Sequence, residues 1–203
     1  MKLYDYLPSG NGYKVRLLLK QLGIPFQLTQ MNLVKGETRT EEFLTMNPNG
    51  KIPTLILPSG DILTESNAII LYLAEGTRFL PEDKLMRARV NEWLFFEQYS
   101  HEPNIAVVRT WKALGDLDEL QTATLPQKMA NGYNALDVME KQLQTSDYLV
   151  GNSYSVADIA LYAYTHVAHE GGFDLSNYPG INNWMQRIKN QDQYIPITDD
   201  CQN

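Results

Sequence analysis

The chain is short of cysteine, histidine, basic residues and long apolar runs. Cys201 is the single cysteine in 203 residues, which excludes an intrachain disulfide, a Cys-x-x-Cys redox pair and a thiolate zinc cluster. His101, His166 and His169 are the only histidines. His166, His169 and Glu170 have the i, i+3, i+4 spacing of one helical face, but with no further ligand in sight they read as helix-end residues and no metal is expected. Seventeen Lys plus Arg against 24 Asp plus Glu give a net charge of -7, the wrong sign for a nucleic-acid partner. No apolar stretch reaches membrane-spanning length, so no membrane partner is expected. Asp5 interrupts the apolar start and no small-residue cleavage site follows it, which with the cysteine usage points to a reducing, cytoplasmic location.

What is present falls into two unlike halves. The first reads βαβαββα: a strand at Lys2 to Tyr6, a helix near Asn11 to Leu22, a strand at Phe26 to Asn32, a short helix around Thr40 to Met46, and then strand, turn and strand through Thr54-Leu55-Ile56-Leu57, Pro58-Ser59-Gly60-Asp61 and Ile62-Leu63-Thr64. Ser66 stands where it can cap the helix whose apolar face is Ile69, Ile70, Tyr72 and Leu73, and Gly76 with Pro81 brackets the loop after it. Beyond Glu82 helical periodicity takes over, at Lys84 to Leu114, Leu117 to Leu143, Val156 to His169 and Ile181 to Lys189. Pro103 should bend or divide the first of these. The tail from Asn190 reads as an extended surface segment. The expected domains are therefore residues 1–76, α/β, and 83–203, all-helical.

Three short segments in the first half carry chemistry. Pro8-Ser9-Gly10-Asn11-Gly12 opens the first helix, so Ser9 and Asn11 place neutral donors at a helix N-terminus, where an anion such as a thiolate is favoured. Asn49-Gly50-Lys51-Ile52-Pro53 leads into a strand, and Glu65-Ser66 stands between a strand and a helix. In the second half Ser155-Val156-Ala157-Asp158 has capping-box spacing, which assigns Asp158 to folding.

These segments resemble, in order and spacing, the motifs of the cytosolic glutathione S-transferases, with Asn11-Gly12-Tyr13-Lys14-Val15, Asn47 through Pro53 and Glu65 through Ile69 matching the first domain and Gly151 through Leu161 the second. The resemblance implies a thioredoxin-like domain followed by a helical bundle. It further implies a cytoplasmic homodimer active in detoxification, with glutathione as co-substrate and a small electrophile as second substrate. The Pro-Ser-Gly-Asn-Gly run is similar to the serine/asparagine site of nu-like bacterial members, which makes Ser9 and Asn11 the thiolate donors and Tyr6, at the end of the first strand, the runner-up. By the same resemblance Pro53 is cis and presents the Ile52 main chain to the peptide, Lys51 pairs with the glycyl carboxylate, Ser66 and its helix receive the γ-glutamyl carboxylate, and Glu65 receives the ammonium. Tyr99, Asn104, Val108, Arg109 and Trp111 are candidates for the wall of an electrophile pocket between the domains. Thr38 departs from the nu-like pattern, which would place a glutamine contact there, and this weighs against a two-glutathione disulfide reductase. A glutathione-dependent peroxide or disulfide reductase and a non-catalytic glutathione-binding regulator remain the alternatives.

Overall fold

Alternation along Lys2–Asp5 puts Leu3 and Asp5 into the interior and leaves Lys2 and Tyr4 partly exposed, the period of a strand with one face covered. In the computed structural model, which describes residues 1–201, this strand is β1. It pairs in parallel with β2 (Gln27–Gln30) and antiparallel with β3 (Thr54–Ile56), and β3 pairs antiparallel with β4 (Ile62–Thr64), giving the sheet order β2-β1-β3-β4. Helices α1 (Gly10–Gln21), α2 (Glu41–Met46) and α3 (Ser66–Ala74) complete the thioredoxin-like βαβαββα order, as expected.

The chain falls into two compact units, and the first of them, Met1–Glu75, also takes in the tail from Gln191. This differs from a division that gives the tail to the helical half, and the reason lies in α1. That helix is buried almost all round, its polar Lys14 and Arg16 included. The Arg16 guanidinium binds Asp5 Oδ2 at 2.8 Å and spends its remaining donors on the carbonyls of Leu7, Ile197 and Asp199. Tyr13 adds a hydrogen bond from its hydroxyl to the Ile195 carbonyl at 2.7 Å. Five guanidinium donors need acceptors when buried, and the returning tail supplies them. Burial pushes the Asp5 carboxyl up to about 6, against the lowering influence of Arg16. A Cβ at residue 12 would lie 1.6 Å from Asp5 Oδ1, so Gly12 is what lets this pair approach the helix.

The second unit, Gly76–Asn190, is helical. It contains α4 (Lys84–Phe96), a π-helical turn at Glu97–His101, α5 (Glu102–Leu114), α6 (Glu119–Leu143), α7 (Val156–Thr165), a 3-10 turn at Ala168–Gly171 and α8 (Pro179–Lys189). The expected break at Pro103 takes the form of the π turn. Pro103 has no N–H and its ring opposes the carbonyl four residues back, and the turn before it widens so that Glu102 N–H reaches the Glu97 carbonyl. Asp158 accepts from Ser155 N, Leu149 N and Trp184 Nε1, each at 2.9 Å, while Ser155 Oγ accepts from Ala157 N at 3.3 Å. The capping box thus ties the preceding loop and α8 to the start of α7. Burial raises the Asp158 carboxyl to about 6, with these hydrogen bonds opposing. Among the described residues no helix is long and apolar enough to cross a membrane.

Candidate active site

Register brings the three sequence segments to one end of the sheet's strands. Tyr4 stands opposite Thr54 and Thr54 opposite Thr64, so the end of β1, the start of β3 and the end of β4 lie side by side. The residues next along each strand belong to the Tyr6–Asn11 turn, the Lys51–Pro53 loop and Glu65–Ser66.

At the first of these Ser9 is the N-cap of α1, its Oγ accepting from Gly12 N at 3.5 Å, while Ser9 N donates to the Tyr6 carbonyl at 2.7 Å. No acidic side chain occupies the first turn of α1, so its positive end meets neutral groups. Asn11 is half-buried in that turn, and its Oδ1 accepts from Ser66 Oγ at 3.3 Å. This hydrogen bond joins the starts of α1 and α3. Tyr6, the runner-up, is 36% exposed at the end of β1, with its backbone N–H bonded to Asp5 Oδ1.

The second segment is built by Asn47, to which sequence reasoning assigned no role. Buried, it donates from Nδ2 to the Lys51 carbonyl at 2.8 Å and to Thr54 Oγ1 at 3.1 Å, and it accepts from Asn49 N. The signal was in the Asn-Pro-Asn-Gly run, since Asn side chains that bond their own backbone two residues on shape turns. Gly50 has φ +61°, and a Cβ there would approach the Thr38 carbonyl to 2.9 Å, which reserves the position for glycine. The Ile52–Pro53 peptide bond is cis. Lys51 is exposed, and Ile52 precedes the first residue of β3. Thr38 is buried in a 3-10 turn, Glu37–Arg39.

The third segment corrects one expectation. Ser66 does not cap α3: the N-cap is Glu65, and Ser66 is the first helical residue. Its hydroxyl is occupied elsewhere, accepting from Lys14 Nζ at 3.2 Å and donating to Asn11. Glu65 sits at φ 65°, ψ 111°, a left-handed conformation costly for a residue with a side chain. Lys14 also donates to Asn67 Oδ1 at 3.2 Å. The periodicity of α1 hid this lysine, because a basic residue in an amphipathic pattern reads as solvent-facing.

Arg109 and Trp111 lie on α5, in the second compact unit, whereas the three segments belong to the first. Arg109 Nε is bound to Glu170 Oε2 at 2.7 Å, Val108 is fully buried and Asn104 nearly so. His166 stacks on Tyr162 with ring centroids 4.5 Å apart, and burial depresses it to about 4. Among the described residues no three His, Cys, Asp or Glu side chains gather as a metal site.

A thioredoxin-like sheet with a serine-capped α1, a cis-proline loop and a strained residue before α3 defines a class, and comparison with known proteins agrees. The glutathione S-transferase N-terminal domain matches residues 1–75 and the C-terminal domain residues 110–192. A solved glutathione S-transferase from Pseudomonas fluorescens Pf-5 is 52% identical with a TM-score of 0.95, the match covering 98% of each chain. The disulfide-bond oxidoreductase YfcG of Escherichia coli strain K12 is 32% identical over 92% of this chain and 89% of its own, and the maleylacetoacetate isomerase of Mus musculus 34% identical over 89% and 83%. The chain belongs to the glutathione S-transferase family.

Proposed function

We propose that the protein is a glutathione transferase of the nu-like serine/asparagine type, in which Ser9 and Asn11 hold the glutathione thiolate for attack on a small electrophile. The observation that carries this reading is the pairing of two helix N-termini at one end of the sheet's strands, linked through Ser66 and Asn11. A thiol of ordinary pKa, about 8.5, is mostly protonated at neutral pH. Lowering it by about two units requires roughly 2.7 kcal/mol of preferential thiolate stabilisation, within the range of one or two charge-assisted hydrogen bonds and the positive end of α1. The Ser9 hydroxyl and Asn11 amide are donors of the right kind, and neither titrates. In the transfer the sulfur lone pair forms a bond to the electrophilic carbon, and the leaving group departs with the electrons of the bond that breaks.

The remaining first-unit residues hold the peptide. The Ile52 main chain beside cis-Pro53 offers a strand-like partner, and Lys51 offers a cation for the glycyl carboxylate. The backbone N–H groups of the first turn of α3 receive the γ-glutamyl carboxylate, since the Ser66 proton is engaged by Asn11. Glu65 receives the ammonium. Arg109 and Trp111 are assigned to the second substrate. A homodimer is supported by the apolar side chains that α4 and the turn after it expose, Leu85, Met86, Phe95 and Tyr99.

Ultraviolet absorbance of bound glutathione across pH tests the reading. A lowered thiol pKa is expected, and uptake with an ordinary one would make the protein a binding module instead. The likeness to a disulfide-bond oxidoreductase favours a second reading, reduction of a mixed disulfide, for which a second thiol would have to enter beside the first. Turnover of such a disulfide measures it directly.

A further inference from the structure

We propose that Lys14 is a positioning residue: it sets the direction of the hydrogen bonds running through Ser66 to Asn11 and so fixes which end of the Asn11 amide meets the ligand sulfur. The inference rests on the transferase reading above and deepens it.

Lys14 is completely buried on α1, with Nζ 3.2 Å from Ser66 Oγ and 3.2 Å from Asn67 Oδ1. A buried ammonium is tolerated only where its donors are met, and here the acceptors come from the start of α3. An ammonium has three donors and no acceptor, which biases the orientation that hydroxyls and amides would otherwise be free to choose. Ser66 Oγ must present a lone pair to Lys14. With one of its two lone pairs taken by the ammonium, the hydroxyl directs its proton at Asn11 Oδ1, 3.3 Å away. Asn11 accordingly has its oxygen toward Ser66. The amide nitrogen is then the end turned the opposite way, and an amide nitrogen can donate to a sulfur anion whereas an amide oxygen would repel it.

Asn67 belongs to the same arrangement. Facing an ammonium, its amide must also offer oxygen. Glu65, with φ 65°, turns the chain so that Ser66 and Asn67 begin the helix beside Lys14. Without the cation a water or a neutral donor-acceptor group in its place would let Ser66 and Asn11 reverse, and a fraction of molecules would present oxygen to the sulfur. The expected signature is a change in the thiol pKa that travels through Asn11, distinct from a loss of folding.

The experiment titrates bound glutathione by thiolate absorbance in the wild type, Lys14→Met, Lys14→Gln, Lys14→Arg and Lys14→Met combined with Asn11→Ala, with circular dichroism and melting temperature recorded for each. Lys14→Met is expected to raise the bound thiol pKa by about one unit, a tenfold loss of thiolate, and to move the acidic limb of the kcat/KM profile by the same amount. Lys14→Gln, which keeps the length and can donate or accept, should fall between it and the wild type. Lys14→Arg, also donor-only, should keep the wild-type value. Adding Lys14→Met to Asn11→Ala should change the pKa no further, because the two act in series. Folded Lys14→Met and Lys14→Gln with an unshifted pH profile, or full additivity with Asn11→Ala, overturn the proposal. If Lys14→Met does not fold, Lys14→Gln against Lys14→Arg decides it by the same titration. A wild type that takes up glutathione but leaves its thiol at the ordinary pKa overturns the transferase reading itself, and the role of Lys14 with it.

Discussion

Helices α3 and α7 both begin beside a serine, and they satisfy their first turns in opposite ways. In α7 the carboxylate comes from within: Asp158 accepts from the Ser155 and Leu149 backbones and from Trp184, and burial holds its pKa near 6. In α3 there is no acidic residue in the first turn, the N-cap Glu65 makes no capping hydrogen bond, and the group buried beside Ser66 is the ammonium of Lys14. A helix start that supplies its own anion is closed and contributes to folding. One that has a cation behind it and no carboxylate bonded to its first turn is suited to an anion from outside. The same two residue types, serine and a charged partner, therefore give a structural joint in one unit and a candidate ligand site in the other.

The closed helix start, α7, has the most stability to lose. Asp158→Ala leaves a backbone N–H at Ser155, another at Leu149 and the Trp184 indole N–H without acceptors, and should cost about 3 kcal/mol or more of stability. Urea unfolding measures this, and kcat/KM per folded molecule should stay near the wild-type value. At the open end the sign is reversed. Asn11→Ala or Ser9→Ala should lower kcat/KM below neutral pH about 10- to 100-fold, through a raised pKa of the bound thiol, with a melting temperature close to the wild type. Tyr6→Phe, measured in the same assay, should stay within about twofold.

Two smaller effects sharpen the contrast. The folded pKa of Asp158 is raised from 3.8 to about 6, so its protonated form is favoured in the folded state. That contribution is fully present below about pH 4 and is lost as pH rises through 6. Relative to Asp158→Asn, the wild type should lose about 1 kcal/mol of stability between pH 5 and pH 7. Taking the difference between the two proteins cancels the like-signed contribution of Asp5. Glu65→Gly should relieve the left-handed strain before α3 and raise stability by about 0.5 kcal/mol, while weakening glutathione affinity measured by calorimetry. Unchanged stability would mean that the surrounding fold does not resist this conformation.

The sequence made the architecture legible where pattern and chemistry coincide. Alternation in β1, the Pro-Ser-Gly-Asp turn between β3 and β4, and the Ser155 to Asp158 capping box all depend on neighbours in sequence, and each appears in the structure. The two-domain order was legible for the same reason. What stayed hidden depends on burial by distant chain. Lys14 and Arg16 look like the polar face of α1, yet both are enclosed because α3 and the tail cover that helix. Ser66 read as a cap because no local rule foretells that a lysine 52 positions earlier will claim its hydroxyl. The π turn before Pro103 was legible as a disturbance but not in kind, since the wider register is chosen by packing on both sides of it.

The tail bound to Arg16 has a consequence for how the chain is made. Hydrogen bonds from Tyr13 to Ile195 and from Arg16 to Asp199 close loops of 182 and 183 residues. During synthesis the amino-terminal sheet emerges long before the acceptors that finish it, and the Arg16 guanidinium must wait for Ile197 and Asp199 to leave the ribosome. A gene shortened after Asn190 would keep every strand and helix among the described residues, yet yield a first unit lacking part of its own interior.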